Sequence, residues 1–215
     1  MLEYQIIPVT HYQQNCSLVW CRATAKAALI DPGGEAEKLL ALVAQTGLVV
    51  EKILLTHGHM DHVGAATALA EQLRVPIIGP HKDDRFWLDN LAQQAQMMGF
   101  TPVGNVHPDQ WLKDGDKISI GECELSVLHC PGHTPGHVVL VDESSRLAFV
   151  GDVLFKGSVG RTDFPLGDHA TLVTSITTKL WPLGDDIRFV PGHGPMSTFA
   201  AERADNPFVA DKKFG

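Results

Sequence analysis

Four potential metal ligands stand within six residues in the stretch Thr56-His57-Gly58-His59-Met60-Asp61-His62. Imidazole is the commonest protein ligand for zinc, and carboxylate oxygen suits zinc, iron or manganese. An apolar run (EKILL, 51–55) leads into the cluster and a helical pattern follows it. In a loop of this kind alternating side chains point at one spot. His57 and His59 are therefore expected to share one metal, while Asp61 and His62 reach a neighbouring one. A polar turn with incidental histidines is the plainer alternative. It would bury several imidazoles without a shared cation and leave many polar atoms to satisfy.

Three later segments repeat the design, a strand followed by a tight Gly/Pro turn that carries a potential ligand. They are Cys130-Pro131-Gly132-His133-Thr134, Val150-Gly151-Asp152 and Val190-Pro191-Gly192-His193-Gly194. Glycine lets the backbone turn sharply, so a side chain can aim inward from a strand end. One such turn is weak evidence; four in this order are specific. Two adjacent cations bring the pKa of a shared water from about 15.7 toward neutrality. That supplies hydroxide for hydrolysis, and the same cations stabilise the oxyanion formed at a carbonyl. A thiol leaving group, with a pKa of about 8.5, needs little protonation. Structural zinc sites are usually closed by four tight ligands, often cysteine. The His/Asp set here, without cysteine, favours an open hydrolytic site over the non-enzyme alternative, a metal-stabilised binding protein.

The elements that must position these residues are legible in outline. Strands are expected at 3–9, 15–21, 26–30, 51–55 and 76–79, then near 117–120, 123–129, 137–142, 146–150 and 187–190. Helices are expected at 35–46, 63–73, 82–98, about 169–180 and near 197–204, with Gly47 as a helix stop. The 82–98 segment carries Phe86, Trp87, Leu88, Leu91, Met97 and Met98; such a face usually packs, and here it could also wall a cleft. Hairpin-like strands alternating with helices suggest two packed sheets with helices outside.

The chain of 215 residues fits one domain with a real core. Its net charge of −8 argues against a nucleic-acid partner. No stretch approaches the roughly 18–20 apolar residues of a membrane span, and the first residues read as a strand rather than a signal peptide. Cys16, Cys21, Cys123 and Cys130 form no C-x-x-C pair. They read as reduced, buried thiols of a cytoplasmic protein. No obligate protein partner is evident.

The H-x-H-x-D-H stretch, the later G-H-T, the G-D and the final G-H resemble the metallo-β-lactamase superfamily, from the N-terminal strands to His193. The resemblance implies an α+β fold, an αββα sandwich with the metal site at one edge of the two sheets. It matches His57, His59 and His133 to a first metal and Asp61, His62 and His193 to a second. Asp152 matches the bridging carboxylate, and Asp61 is also expected to orient the hydroxide. Within the superfamily the chain is similar to glyoxalase II, the hydroxyacylglutathione hydrolases, in their compact bacterial form. These take S-D-lactoylglutathione to D-lactate and glutathione in methylglyoxal detoxification. The residues concerned are T-H-G-H-x-D-H-V-G, H-C-P-G-H-T-P-G-H at 129–137, and Gly151 to Phe155 leading into Gly160-Arg161-Thr162-Asp163-Phe164.

The resemblance implies two divalent metals, zinc first with iron or manganese as alternatives, and a small glutathione thioester as partner. Arg161 falls where the family places a basic residue on the glutathione glycine carboxylate; a salt bridge with Asp163 is the alternative. Longer glyoxalase II enzymes add a helical C-terminal domain, and only about two dozen residues follow His193 here. They also often carry an aromatic residue shortly after the last histidine, where this chain has Gly194-Pro195. Lys212 and Lys213 are candidates for assisting recognition, a solvated tail being the alternative. Asp31 and His137 are expected to support ligands or to shape their turns. His11, His81, His107, His129 and His169 read as surface or packing residues. Related enzymes remain rivals: persulfide dioxygenases use one iron, and class B β-lactamases often carry cysteine where this chain has Asp152.

Overall fold

A computed structural model describes residues 1–211. The expectation for Lys212 and Lys213 lies outside them. The chain opens with β1 (Leu2–Val9), β2 (Gln14–Cys21) and β3 (Lys26–Ile30), followed by α1 (Ala36–Thr46) and β4 (Val49–Leu54). Next come α2 (Met60–Val63), α3 (Ala66–Leu73), β5 (Ile77–Ile78), α4 (Arg85–Leu88) and α5 (Leu91–Met98). The second half runs β6 (Lys117–Ile120), β7 (Cys123–His129), β8 (Val138–Asp142), β9 (Leu147–Gly151), β10 (Leu154–Phe155) and β11 (Ser158–Val159). It closes with α6 (His169–Ser175), β12 (Arg188–Pro191), β13 (Ser197–Thr198) and α7 (Phe199–Asp205).

One sheet is ordered β1-β2-β3-β4-β5 and the other β13-β12-β9-β8-β7-β6. Because side chains alternate along a strand, each sheet serves two layers at once. Val19, Ala28, Ile30 and Leu54 turn inward and meet Leu125, Val127, Leu140 and Phe149 of the facing sheet. Their neighbours Leu18, Leu29 and Ile53 turn outward onto Leu39, Val43 and Leu69 of α1 and α3. On the far side Val139, Val141, Ala148 and Phe189 turn outward onto Leu172 of α6 and Phe199 of α7. The strands therefore read as continuous apolar runs rather than alternating ones, as expected for sheets covered on both faces. This is the αββα sandwich.

Several expected boundaries change. The helix expected over 63–73 is two pieces, a turn at Met60–Val63 and then Ala66–Leu73, so Asp61 and His62 lie on a helical turn rather than in a loop. The expected helix over 82–98 is three pieces: a 3-10 turn at Lys82–Asp84, then α4, then α5. The expected helix to 180 continues past Ser175 as a π-helical stretch, Ile176–Leu180. The strand expected at 76–79 is only two residues long. The start of the last expected helix is the short strand β13. All four cysteines are free and buried. No helix of the described residues is long and apolar enough to cross a membrane.

Candidate metal centre

β3, β4, β7, β9 and β12 end at one edge of the sandwich, and the residues just beyond them form the site. β3 runs into Asp31, β4 into Thr56 and His57, β7 into the turn of His133, β9 into Asp152 and β12 into His193. Two glycines make room. A Cβ on Gly192 would sit 2.0 Å from Asp152 Oδ1 and 2.6 Å from the His62 ring. Gly151 has φ +49°, and a Cβ there would press on Thr56 Oγ1 and the His137 ring.

The structure brings all seven expected ligands together. His57, His59 and His133 each offer a donor atom within 4.8 Å of the other two, and so do Asp61, His62 and His193. Asp152 lies between the groups. Its Oδ1 is 3.4 Å from His62 Nε2, and its Oδ2 is 3.6 Å from His133 Nε2 and 3.8 Å from His193 Nε2. Asp61 Oδ2 is 3.1 Å from His193 Nε2.

The hydrogen bonds behind the rings assign which nitrogen faces the centre. His62 Nδ1 lies 2.9 Å from Asp31 Oδ2, and His133 Nδ1 lies 2.7 Å from the Arg161 carbonyl. His193 Nδ1 meets the Tyr12 carbonyl at 3.1 Å, and His57 Nδ1 meets Thr56 Oγ1 at 3.0 Å. The Thr56 hydroxyl itself donates to Asp31, so it accepts from His57. Four rings therefore spend Nδ1–H on the protein and aim Nε2 inward. His59 is reversed: its Nδ1 faces His133 Nε2 at 3.0 Å.

Inside the ring of donors, His57 Nε2, His62 Nε2 and Asp152 Oδ1 are buried with no hydrogen-bond partner. Orphaned buried acceptors of this kind are costly, each on the order of 1–3 kcal/mol. Cations between the donors would satisfy all three, so the residues present fit divalent metals. The electrostatics agree. Burial holds His57, His59 and His133 below the ordinary imidazole range, leaving them neutral. Burial acts on Asp152 in the opposite sense, but His62, His133 and His193 outweigh it and hold its carboxyl far below the usual range. Around His62 burial is likewise overcome, by Asp152, Asp61 and Asp31, so without a cation the ring is held well above its ordinary value, and a metal on Nε2 would take the place of that proton.

Asp31 and His137 both sit behind the ligands. Asp31 accepts from the Thr56 amide at 2.7 Å and the Thr56 hydroxyl at 2.5 Å as well as facing His62. His137 stacks on His57 with ring centroids 4.6 Å apart, and its Nε2 accepts from the Asp152 amide at 3.0 Å. The Arg161 guanidinium is paired with Asp163 at 2.8 Å and lies over the Phe164 ring at 4.5 Å. Phe164 and Trp87 wall the centre, with His59 ring centroids 5.2 and 4.5 Å away.

Two residues escaped the sequence reading. The Asp84 carboxylate, fully buried, accepts from Gly58 N at 2.8 Å, Thr134 Oγ1 at 2.8 Å and Gly136 N at 2.5 Å. It clamps the His57–His59 loop to the His133 loop. Gln94 accepts from Met60 N at 3.0 Å and donates to the carbonyls of Trp87 at 2.8 Å and Gly58 at 3.3 Å. Both come from the 82–98 segment, whose charged and amide residues carry no spacing that marks them apart from surface ones.

Comparison with known proteins follows the same line. The profile of the metallo-beta-lactamase superfamily matches residues 9–193. The chain is 46% identical over 212 residues to the hydroxyacylglutathione hydrolase GloC of Haemophilus influenzae, covering 98% of this chain and 100% of that one. Among solved structures it is similar to the BLEG-1 B3 metallo-beta-lactamase, at 36% identity and TM-score 0.89, covering 96% and 99% of the two chains. It is also similar to TTHA1623 in a di-iron-bound form, at 40% identity and TM-score 0.87, covering 95% and 100%.

Proposed function

This chain belongs to the metallo-β-lactamase superfamily, and from that premise we propose that it hydrolyses glutathione thioesters, taking S-D-lactoylglutathione to D-lactate and glutathione. The observation that carries the hydrolytic reading is the position of Asp152, whose carboxylate lies between the two groups, Oδ1 toward His62 and Oδ2 toward both His133 and His193. The thioester reading is supported by the likeness to the Haemophilus influenzae hydrolase along both whole chains.

Seven side chains, His57, His59, Asp61, His62, His133, Asp152 and His193, would hold two divalent cations. Zinc is our preferred identity; iron is the alternative that the di-iron neighbour supports, and manganese suits the same donors. Such cations supply a water of near-neutral pKa and an electrophile for the thioester carbonyl. The protein's own residues do the rest. Asp61, buried in the second group, would accept a hydrogen bond from the attacking water and turn its lone pair to the carbonyl carbon. Asp31, Thr56, His137 and the Arg161 carbonyl fix the rings, so little reorganisation is needed during reaction. Trp87 and Phe164 keep bulk water from one side of the cleft. The departing thiol, with a pKa of about 8.5, leaves as thiolate without a dedicated acid.

Arg161 is our candidate for the glutathione glycine carboxylate. Its pairing with Asp163 does not preclude this. Both side chains are about two-thirds exposed, 67% and 68%, and water and salt screen such surface pairs strongly. An incoming carboxylate can therefore displace Asp163 at little cost.

A second reading, β-lactam hydrolysis, draws on the likeness to the BLEG-1 enzyme. Assaying S-D-lactoylglutathione, glutathione persulfide and a cephalosporin side by side tests the choice. Preferential turnover of the thioester is expected; preferential turnover of either other compound would replace this reading.

A further inference from the structure

Away from the seven-residue centre, one other set of metal-type donors converges among the described residues. His81, Asp83 and His129 each offer a donor atom within 4.8 Å of the other two, the same bound that both groups of the main centre meet. His81 precedes the Lys82–Asp84 turn, Asp83 lies in it, and His129 ends β7. The two rings stack with centroids 4.1 Å apart and planes 23° from parallel. Asp83 Oδ2 lies 3.3 Å from His81 Nδ1.

His81 Nδ1 accepts a long hydrogen bond of 3.3 Å from the Asp83 amide, which a cation on that nitrogen would displace. His129 Nε2 lies 2.8 Å from the Pro135 carbonyl. That nitrogen must carry the proton, so Nδ1 keeps its lone pair. Burial, the adjacent His129 ring and Lys82 hold His81 below its ordinary range, opposed by Asp83 and Asp114, so the ring is neutral at physiological pH. The other nearby cation, Lys179, is paired with Asp114 at 2.8 Å. The Asp83 side chain is 49% exposed, which opens the cluster to solvent. Ring packing and the turn that His81 caps are the plainer account; the convergence of donor atoms from all three residues, His129 coming from a separate strand, is what favours a cation.

We propose that His81, Asp83 and His129 form a third divalent-cation site, of zinc type, with water completing the shell. Two imidazoles and a carboxylate, with an open position, are a known zinc donor set. The site has a mechanical consequence. The His81 amide donates to the Gly136 carbonyl at 3.0 Å, and the His129 ring donates to the Pro135 carbonyl. A cation here would therefore pin both flanks of the turn that presents His133.

The test is equilibrium dialysis of the metal-loaded protein against free zinc, with retained zinc counted by elemental analysis. Wild type is expected to retain one more equivalent than Asp83→Asn or the double variant His81→Gln/His129→Gln, each first shown to be folded by circular dichroism. Ring nitrogen resonances of His81 and His129 should shift as that equivalent binds, while those of His107 and His169 stay in place. Equal retention by wild type and Asp83→Asn would overturn the proposal. So would an extra equivalent that leaves the His81 and His129 signals unmoved. Asp83 is an exposed carboxylate, so its variant decides the matter even where the double variant fails to fold.

Discussion

Asp152 is the side chain whose loss should be felt most widely, because it faces both groups of histidines. Asp152→Ala is expected to lower thioester turnover by more than about 100-fold, beyond the 10–100-fold typical of residues that only support a ligand. Metal content should fall with it while circular dichroism stays native, since the core strands lie behind the site. Near-normal turnover at saturating metal would remove the bridging role. Arg161 belongs at this scale too. Arg161→Ala should raise KM for S-D-lactoylglutathione roughly 10-fold with kcat little changed, because a contact remote from the thioester carbon acts equally on ground and transition states. A small thioester without the glutathione carboxylates should be unaffected; equal losses on both would make Arg161 a support of its loop. The candidate ligands were legible in the sequence because His57, His59, His133, Asp152 and His193 are metal-type residues beside glycines at strand ends, and Asp61 and His62 follow within the same short motif. Asp84 and Gln94 were not, because their importance lies in which backbone amides and carbonyls they reach after folding.

At the scale of elements, the broken 82–98 segment is where structure adds most to sequence. Its apolar periodicity reads as one helix, yet the chain bends at Asp84 and again at Asp89–Asn90 so that Asp84, Trp87 and Gln94 all reach the histidine loop. The gap between α4 and α5 thus follows contacts far away in sequence. Asp84→Asn should weaken metal binding about 10–100-fold, since an amide offers one acceptor atom to three donors that now meet a carboxylate. It should also change stability with pH. Burial pushes the Asp84 carboxyl from 3.8 up to about 7 in the fold, against the pull of its three donors. Between those values the folded state binds the proton that the unfolded state has released, so this group's contribution falls as pH rises through the window. Denaturant unfolding of metal-free protein from pH 4 to pH 7 should show that decline in wild type and not in Asp84→Asn. Parallel pH profiles would mean that Asp84 is ionised throughout. Met60–Val63 offers a similar lesson: Asp61 and His62 were expected in a loop, but the helical turn begins at Met60, anchored by Gln94.

For the whole molecule, the layered fold was the most legible feature, since runs such as KAALI and VVLVD carry the double-sided burial in their composition. The mutual placement of the site loops was not legible, because it depends on the two sheets meeting so that five strand ends share one edge. The buried donors make the fold and the metals interdependent. Cations at about 1,000-fold above Kd would stabilise the protein by about 4 kcal/mol. At about 2–4 °C per kcal/mol for a chain of this size, chelation should lower Tm by roughly 8–16 °C in calorimetry. An unchanged Tm would mean that the seven donors do not hold metal in the folded state. The most direct test is metal content and S-D-lactoylglutathione turnover measured on one purified preparation, before chelation, after it and after metal is restored. Divalent metal, glutathione thiol release and their joint loss and recovery are the expected result. Metal-free protein that still releases thiol at full rate, or fully loaded protein that leaves the thioester intact, would contradict it.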